Sequence, residues 1–359
     1  MTSSVADPAH AAHAAHAAHA AHAAHVTRST GSLEEPVLLE VRELRVDYPT
    51  PRGVVHAVDG PSFDVARGEI VALVGESGCG KSATALAILR LIAAPGRIVS
   101  GQILLEGRDL LALPEAEMRS VRGQHAAIVF QEPMSSLNPV QRIGAQVAEP
   151  LWQHRLADAR GAWQRAVELL RRVNIPAPEA RMRDHPHHFS GGMRQRVMMA
   201  MAMACGPRLL VADEPTTALD VTVQAQVLEL LQAEVRNHRT GMLLITHNLG
   251  VVARYADRVN VMYGGRIVES ALADDLYDQP LHPYTVGLLA SVPRLDQPIT
   301  QRLQPIEGQP YDPLQRSPGC AFAPRCPHAL TRCHREAPPV TSSASGHRVA
   351  CWLHSGAAA

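Results

Sequence analysis

Residues 75–82 read Gly75-Glu76-Ser77-Gly78-Cys79-Gly80-Lys81-Ser82, a G-x-x-x-x-G-K-[ST] pattern that directly follows the apolar run Ile70-Val71-Ala72-Leu73-Val74. Five apolar residues without alternation read as a strand covered on both faces, the habit of parallel sheets. Ala83 to Leu91 then reads as a helix. A strand, a glycine-rich turn and a helix in that order build a phosphate cradle: the glycines let backbone N–H groups converge on phosphate oxygens, with the positive end of the helix behind them. In such a loop Lys81 reaches the β- and γ-phosphates and the Ser82 hydroxyl coordinates Mg²⁺.

Working outward, Leu209-Leu210-Val211-Ala212 and Met242-Leu243-Leu244-Ile245 are further apolar runs with helical stretches between them, which predicts an α/β fold with a parallel sheet. The first of these ends in Asp213-Glu214. Asp213 at a strand end can hold Mg²⁺ through water, and Glu214, one residue on, can polarise an attacking water as general base. Ahead of the loop, β-branched alternation predicts strands at Leu38–Val46 and Ser62–Val65. Beyond the core, Arg258 to Val268 reads as a hairpin turning at Gly264-Gly265.

The chain has 359 residues, 46% hydrophobic and 19% charged, which excludes collagen-like, coiled-coil and wholly disordered classes. Lys+Arg and Asp+Glu both total 34, so no bulk positive field favours nucleic acid or an anionic membrane. The longest apolar stretch, Val197 to Cys205, is too short to span a bilayer. No basic stretch followed by an apolar core opens the chain, so a cytosolic location with reduced cysteines is expected. His10, His13, His16, His19, His22 and His25 recur three apart among alanines; residues 1–35 read as a low-complexity tail, with weak divalent-metal binding as the functional alternative.

Phe189-Ser190-Gly191-Gly192-Met193 runs into a methionine-rich helix that Gly206-Pro207 ends, and this segment resembles the signature motif of ATP-binding-cassette (ABC) ATPases. The order of motifs along the chain agrees. The resemblance implies that Ser190, Gly191 and Gly192 contact the γ-phosphate of ATP held by a partner subunit's P-loop, so that ATP joins two cassettes. It implies that Gln131 is the Q-loop glutamine touching Mg²⁺ and water, that Thr217-Ala218-Leu219-Asp220 is the D-loop crossing the dimer seam, and that His247 is the switch histidine on the γ-phosphate. Tyr48 fits the aromatic that stacks on adenine. The implied ATP-binding set is therefore Tyr48, Gly75, Ser77, Gly78, Cys79, Gly80, Lys81, Ser82 and Ala83. The magnesium set is Ser82, Gln131 and Asp213, and the catalytic set is Glu214, His247 and Gln131. Three departures stand out: Phe189 and Met193 occupy the places of a commoner Leu and Gln, and Asn248 that of a commoner Asp.

The narrower resemblance is to the oligopeptide/dipeptide importer ATPases, carried by Gln131-Glu132-Pro133-Met134-Ser135-Ser136-Leu137-Asn138-Pro139, by His282-Pro283-Tyr284 and by Arg325-Cys326-Pro327. It implies a nucleotide-binding domain over residues 36–270, made of a RecA-like core, an antiparallel β subdomain and a helical subdomain at about 132–195, then an irregular cysteine-containing extension over 271–359. The implied function is ATP hydrolysis that drives peptide import, from the cytoplasmic face of the membrane. The implied partners are a second ATPase subunit in a heterodimer, two transmembrane permease subunits and an extracytoplasmic peptide-binding protein. Nickel or another metal as cargo, and a soluble ABC ATPase acting on DNA repair or ribosomes, are the alternatives.

Ten of the 27 prolines fall between Pro293 and Pro339, which argues against regular helices or strands there. Within the same extension Cys320, Cys326, Cys333 and Cys351 are spaced C-x5-C-x6-C-x17-C. Four cysteines in a segment without a core suggest a metal staple. Zinc ribbons favour closer pairs, while four thiolates also suit a [4Fe–4S] cluster. The family resemblance moves the expectation to iron–sulfur ahead of zinc or free thiols.

Overall fold

The computed structural model describes residues 37–131, 136–216, 219–292 and 305–355. The histidine tail, residues 132–135 after Gln131, and Thr217 and Ala218 of the expected D-loop lie outside these.

In chain order the elements are β1 (Val37–Thr50), β2 (Gly53–Asp59), β3 (Phe63–Ala66), β4 (Ile70–Val74), α1 (Lys81–Ile88), β5 (Arg97–Leu105), β6 (Arg108–Asp109), α2 (Glu115–Val121) and β7 (Ala126–Val129). Then follow α3 (Ile143–Gln153), α4 (Ala159–Arg172), α5 (Pro178–Arg181), α6 (Gly191–Met203), β8 (Leu209–Asp213), α7 (Val221–His238), β9 (Gly241–Ile245) and α8 (Leu249–Tyr255). The chain closes with β10 (Arg258–Tyr263), β11 (Arg266–Leu272), α9 (Ala273–Asp278), α10 (Pro283–Ala290), β12 (Val340–Ser342) and β13 (Arg348–Ala350).

Two sheets organise these elements. The smaller is antiparallel, ordered β2-β1-β5-β6 with β3 also on β1. The larger is ordered β12-β13-β11-β10-β4-β9-β8-β7 and is parallel from β10 to β7. The apolar runs of the sequence are its centre: β4, β8 and β9 are buried at every position.

Alternation across the pleat explains why these strands lack a polar face. Leu210 and Ala212 of β8 face a core shared with the helices α3, α4, α6 and α7, whereas Leu209 and Val211 face a second core shared with α1 and the antiparallel sheet. In β9 Met242 and Leu244 take the first side, Leu243 and Ile245 the second. A third core under β10 and β11 gathers α8, α9 and α10 with Phe322.

The proline-rich segment contains, among its described residues 305–339, no α-helix or strand, only single 3-10 turns at Ala323–Arg325 and Thr331–His334. The hairpin that follows is a feature the sequence pattern does not reveal: β13 joins the edge of β11, pairing Val349 with Glu269 and Arg348 with Ser270. Glu269 is 1% exposed. His347 Nε2 lies 2.7 Å from its Oε1, and the N–H groups of Leu281 and His282 donate to its carboxylate at 2.7 and 2.9 Å. A buried charge is tolerable only with such a full set of partners, and here they come from separate segments of the extension.

Candidate functional site

The loop after β4 owes its path to its glycines. Gly75 has φ +152°, and a Cβ there would stand 2.2 Å from Met262 O; Gly80 has φ +108°, and a Cβ there would stand 2.2 Å from Ala57 O. No other residue fits either place. Gly80 also caps α1 at its N-terminus, which begins at Lys81 rather than at Ala83. The Lys81 ammonium, 6% exposed as a residue, donates to Gly75 O at 2.8 Å and to Glu76 O at 3.0 Å, so it is folded over the loop it belongs to. Burial pushes the Cys79 thiol upward, and Cys79 packs in the core behind the loop.

Strand ends bring the other polar groups to this loop. Ser82 Oγ donates to Asp213 Oδ1 at 3.1 Å. Burial, with the neighbouring Glu214 adding to it, raises the Asp213 pKa above the ordinary carboxylate value. A desolvated carboxylate beside a hydroxyl is the donor set a hard cation such as Mg²⁺ takes. Glu214 leaves the strand with φ +46°, a left-handed conformation uncommon for a side-chain-bearing residue and concentrated at functional sites. Its carboxylate is a hub: Gln131 Nε2 donates to Oε2 at 3.0 Å and His247 Nδ1 to Oε1 at 3.1 Å. Gln131, Glu214 and His247, with Glu214 lying 83 residues from the first and 33 from the last, thus meet at one point.

The remaining expected residues take distinct places. Ser190 caps α6, accepting from Met193 N at 3.3 Å, and Asp220 caps α7, accepting from Val223 N at 2.9 Å. The two caps are neighbours, since a Cβ on Gly192 would meet Val223 Cγ1 at 2.7 Å. Ser190 and Gly191 are exposed, and nothing lies within 4 Å of a Cβ built on Gly191. Tyr48 is half-buried and its ring packs over Gly96, where a Cβ would approach within 2.4 Å. Asn248 caps α8 through Oδ1, accepting from Gly250 N at 3.0 Å; Asp would cap equally well, so the cap tolerates either residue.

No sequence motif singles out Glu76, yet it is the most tightly held residue of the loop. Its N–H donates to Tyr284 Oη at 2.8 Å, and its carboxylate receives Arg325 Nη1 at 2.7 Å and Nη2 at 3.0 Å. The two phrases His282-Pro283-Tyr284 and Arg325-Cys326-Pro327 are the only signal of this that the sequence carries.

Cys320, Cys326, Cys333 and Cys351 line one cavity of about 10 Å³ together with His282 and Phe322, room for one water at most. Burial first of all, with the neighbouring thiols adding to it, pushes the Cys320 thiol up to about 11. The expectation of an assembled metal site is corrected to this extent: among the described residues no three His, Cys, Asp or Glu side chains stand as a metal-binding group. Protonated thiols have no charge to share with a cation and pack as small apolar groups. The donor chemistry nevertheless fits a four-thiolate site. His282 Nδ1 accepts from Tyr284 N at 3.0 Å, and its Nε2 is a buried N–H without a partner among the described residues. Burial holds this imidazole neutral, its pKa down to about 4.

A glycine cradle after β4, a paired Ser and Asp, and a Gln–Glu–His hub on a parallel sheet define a P-loop ATPase of the ATP-binding-cassette class. Residues 58–217 match the ABC transporter family and residues 268–333 the oligopeptide/dipeptide transporter C-terminal region. The oligopeptide transport ATP-binding protein AppD of Bacillus subtilis is 50% identical over 88% of this chain and 97% of its own length. OppD of Salmonella typhimurium is 48% identical over 88% of this chain and 93% of its own. A dimeric bacterial ABC transporter cassette, MJ0796, shares the fold with a TM-score of 0.60 at 24% identity, over 66% of this chain and 99% of that one. The chain belongs to the ABC family, in its branch of oligopeptide and dipeptide transport ATP-binding proteins.

Proposed function

We propose that this chain binds and hydrolyses ATP to energise the import of oligopeptides or dipeptides. The observation that carries the hydrolytic part is the hub at Glu214, where one carboxylate in a strained backbone position is held by Gln131 and His247 beside Asp213. The loop N–H groups and Lys81 hold the triphosphate, and Glu214 takes a proton from the attacking water while His247 and Gln131 fix the carboxylate's orientation. Mg²⁺ bound at Ser82, Asp213 and Gln131 supplies charge neutralisation on the phosphates. Tyr48 stacks on adenine, Cys79 and the residues through Ala83 line the phosphates, and Ser190, Gly191 and Gly192 with Asp220 face the ATP of a second cassette. The exposure of Ser190 and Gly191 supports that pairing.

Peptide cargo is supported by the family match over residues 268–333 and by the named functions of the relatives. We place the chain at the cytoplasmic face of the membrane, in a heterodimer of cassettes under two permease subunits served by an extracytoplasmic peptide-binding protein. Among the described residues no helix is long and apolar enough to cross a membrane. Exposed Val140, Trp152 and Trp163 around α3 and α4 suit a groove for permease helices, within residues 132–188. The division at residues 36–270 and 271–359 is part of this reading. So is a metal site at Cys320, Cys326, Cys333 and Cys351, [4Fe–4S] ahead of zinc, supported by the convergence of four thiols on one cavity.

Uptake in a strain deleted for the gene tests the cargo. Restoration of labelled peptide uptake, with nickel uptake unchanged, is expected on complementation; nickel restored in place of peptide would transfer the reading to a metal importer.

A further inference from the structure

We propose that Arg325, in the C-terminal extension, is a positioning residue for the phosphate-binding loop, acting through Glu76, so that the extension completes the nucleotide site of its own cassette. The inference rests on reading residues 75–83 as the triphosphate site.

Every polar group of Glu76 is engaged, and two of the three by the extension. The N–H goes to Tyr284 Oη, the C=O to the Lys81 ammonium, and the carboxylate to both arms of the Arg325 guanidinium. Fixing the N–H and C=O of one residue fixes the two peptide planes around it, and these planes start the curl that aims the next N–H groups at phosphate. Lys81 is placed by the same carbonyl.

Charge makes the arrangement necessary. A carboxylate in a loop that receives a triphosphate repels it, and a cation paired with that carboxylate offsets the repulsion by its own attraction to the phosphates. Arg325 supplies that cation in the bidentate geometry that Lys cannot copy. The guanidinium is itself held in place from several sides: its side chain is 4% exposed, Nε donates to Glu307 O and Nη2 to Ile306 O, each at 3.0 Å, and Nη1 reaches Tyr263 Oη at 3.3 Å. The rings of Tyr263 and Phe322 lie 5.9 Å from its carbon. Tyr284 packs on the same two rings, at 4.6 and 5.4 Å between centroids. The fork is therefore fixed by two carbonyls, a hydroxyl and the aromatic cluster as well as by Glu76.

The test uses the full chain, ATP as the probe, and separate KM and kcat. Arg325→Ala is expected to raise KM for ATP about tenfold, the scale of one lost charge-assisted contact, with kcat within about twofold. Adding Glu76→Gln to that variant is expected to recover at least about threefold of the KM, because the harm is an uncompensated negative charge beside the phosphates. Arg325→Lys, which keeps the charge and the stem but not the fork, serves if the alanine variant fails to fold, with KM expected about two- to fivefold up. An unchanged KM in a folded Arg325 variant, or a double variant no better than Arg325→Ala, would overturn the proposal. Lys81→Ala is the control for the site itself: ATP binding retained there would refute the triphosphate reading rather than the role of Arg325.

Discussion

Ser82 and Asp213 are joined by one hydrogen bond of 3.1 Å, which ties the first turn of α1 to the end of β8 across 131 residues of sequence. The buried charge, not the bond, costs the protein something: Asp213 is 7% exposed, and burial and then Glu214 raise its pKa although the Ser82 hydroxyl acts to lower it. A raised carboxylate pKa means that folding favours the protonated form, so the penalty is present above that pKa and is relieved as pH falls. Asn at 213 would keep the acceptor for Ser82 and remove the charge. Asp213→Asn is therefore expected to leave Tm unchanged or raised in a metal-free melt, while Mg²⁺-dependent ATP turnover falls about 10²–10³-fold. A lower Tm with normal turnover would contradict this account of the pair.

Glu214 differs from its neighbour in environment and so in role. Gln131 and His247 hold its carboxylate; in the general-base role proposed for it, an amide in its place keeps the shape without the basicity. Glu214→Gln is expected to bind ATP as the parent does and to hydrolyse it about 10²–10⁴-fold more slowly, measured by phosphate release in single turnover. Near-normal release would remove Glu214 from the catalytic role.

How much of the fold and site is legible in the sequence follows from where each contact sits in the chain. The phosphate loop is readable because its chemistry demands contiguous residues, Gly75 to Ser82, behind a strand that is apolar at all five positions. The hub is readable only through the family pattern, since nothing local links Gln131, Glu214 and His247. The clamp on Glu76 is not readable, because Arg325 lies 249 residues away and its partners Tyr263 and Phe322 come from β10 and from an irregular turn. Arg348–Ala350, the strand between β12 and β11, is too short for a periodic pattern; Glu269 and His347 decide its place, and a pairing of buried charge with imidazole has no sequence period.

Asp59 gives the fold a pH dependence of its own. Its carboxylate is bound by Arg266 of β11 at 2.6 Å and Arg316 of the extension at 2.7 Å, with Arg45 of β1 at 3.6 Å, so it fastens the antiparallel sheet to both other parts. Burial alone would raise its pKa; these arginines outweigh burial and hold it below the ordinary carboxylate value. A depressed pKa contributes stability that is fully present above the ordinary value, about 3.9, and is lost as pH falls through the folded one. Asp59→Asn is expected to cost about 2–3 kcal/mol at pH 7, less than a fully buried broken pair because its arginines are partly exposed. In urea melts the gap between parent and variant should be constant from about pH 7 to 5 and narrow below about pH 4. Equal stability at pH 7 would show the network to be idle.

The four cysteines allow a decision by composition alone. As packed, the thiols surround a void of about 10 Å³, and burial pushes the Cys320 thiol up to about 11. Binding a metal there must release the thiol protons and needs more room than this void offers. Iron, acid-labile sulfide and zinc per chain, measured on protein purified without oxygen beside Cys333→Ser, separate the possibilities. About four irons and four sulfides, lost in the variant, are expected for the cluster. One zinc would mean that the turns close around a single ion instead, with sulfurs drawn to about 2.3 Å from it. No metal in either protein would make the four thiols a packing device, held by the same aromatic cluster that positions Arg325, and the ATPase site would stand without them.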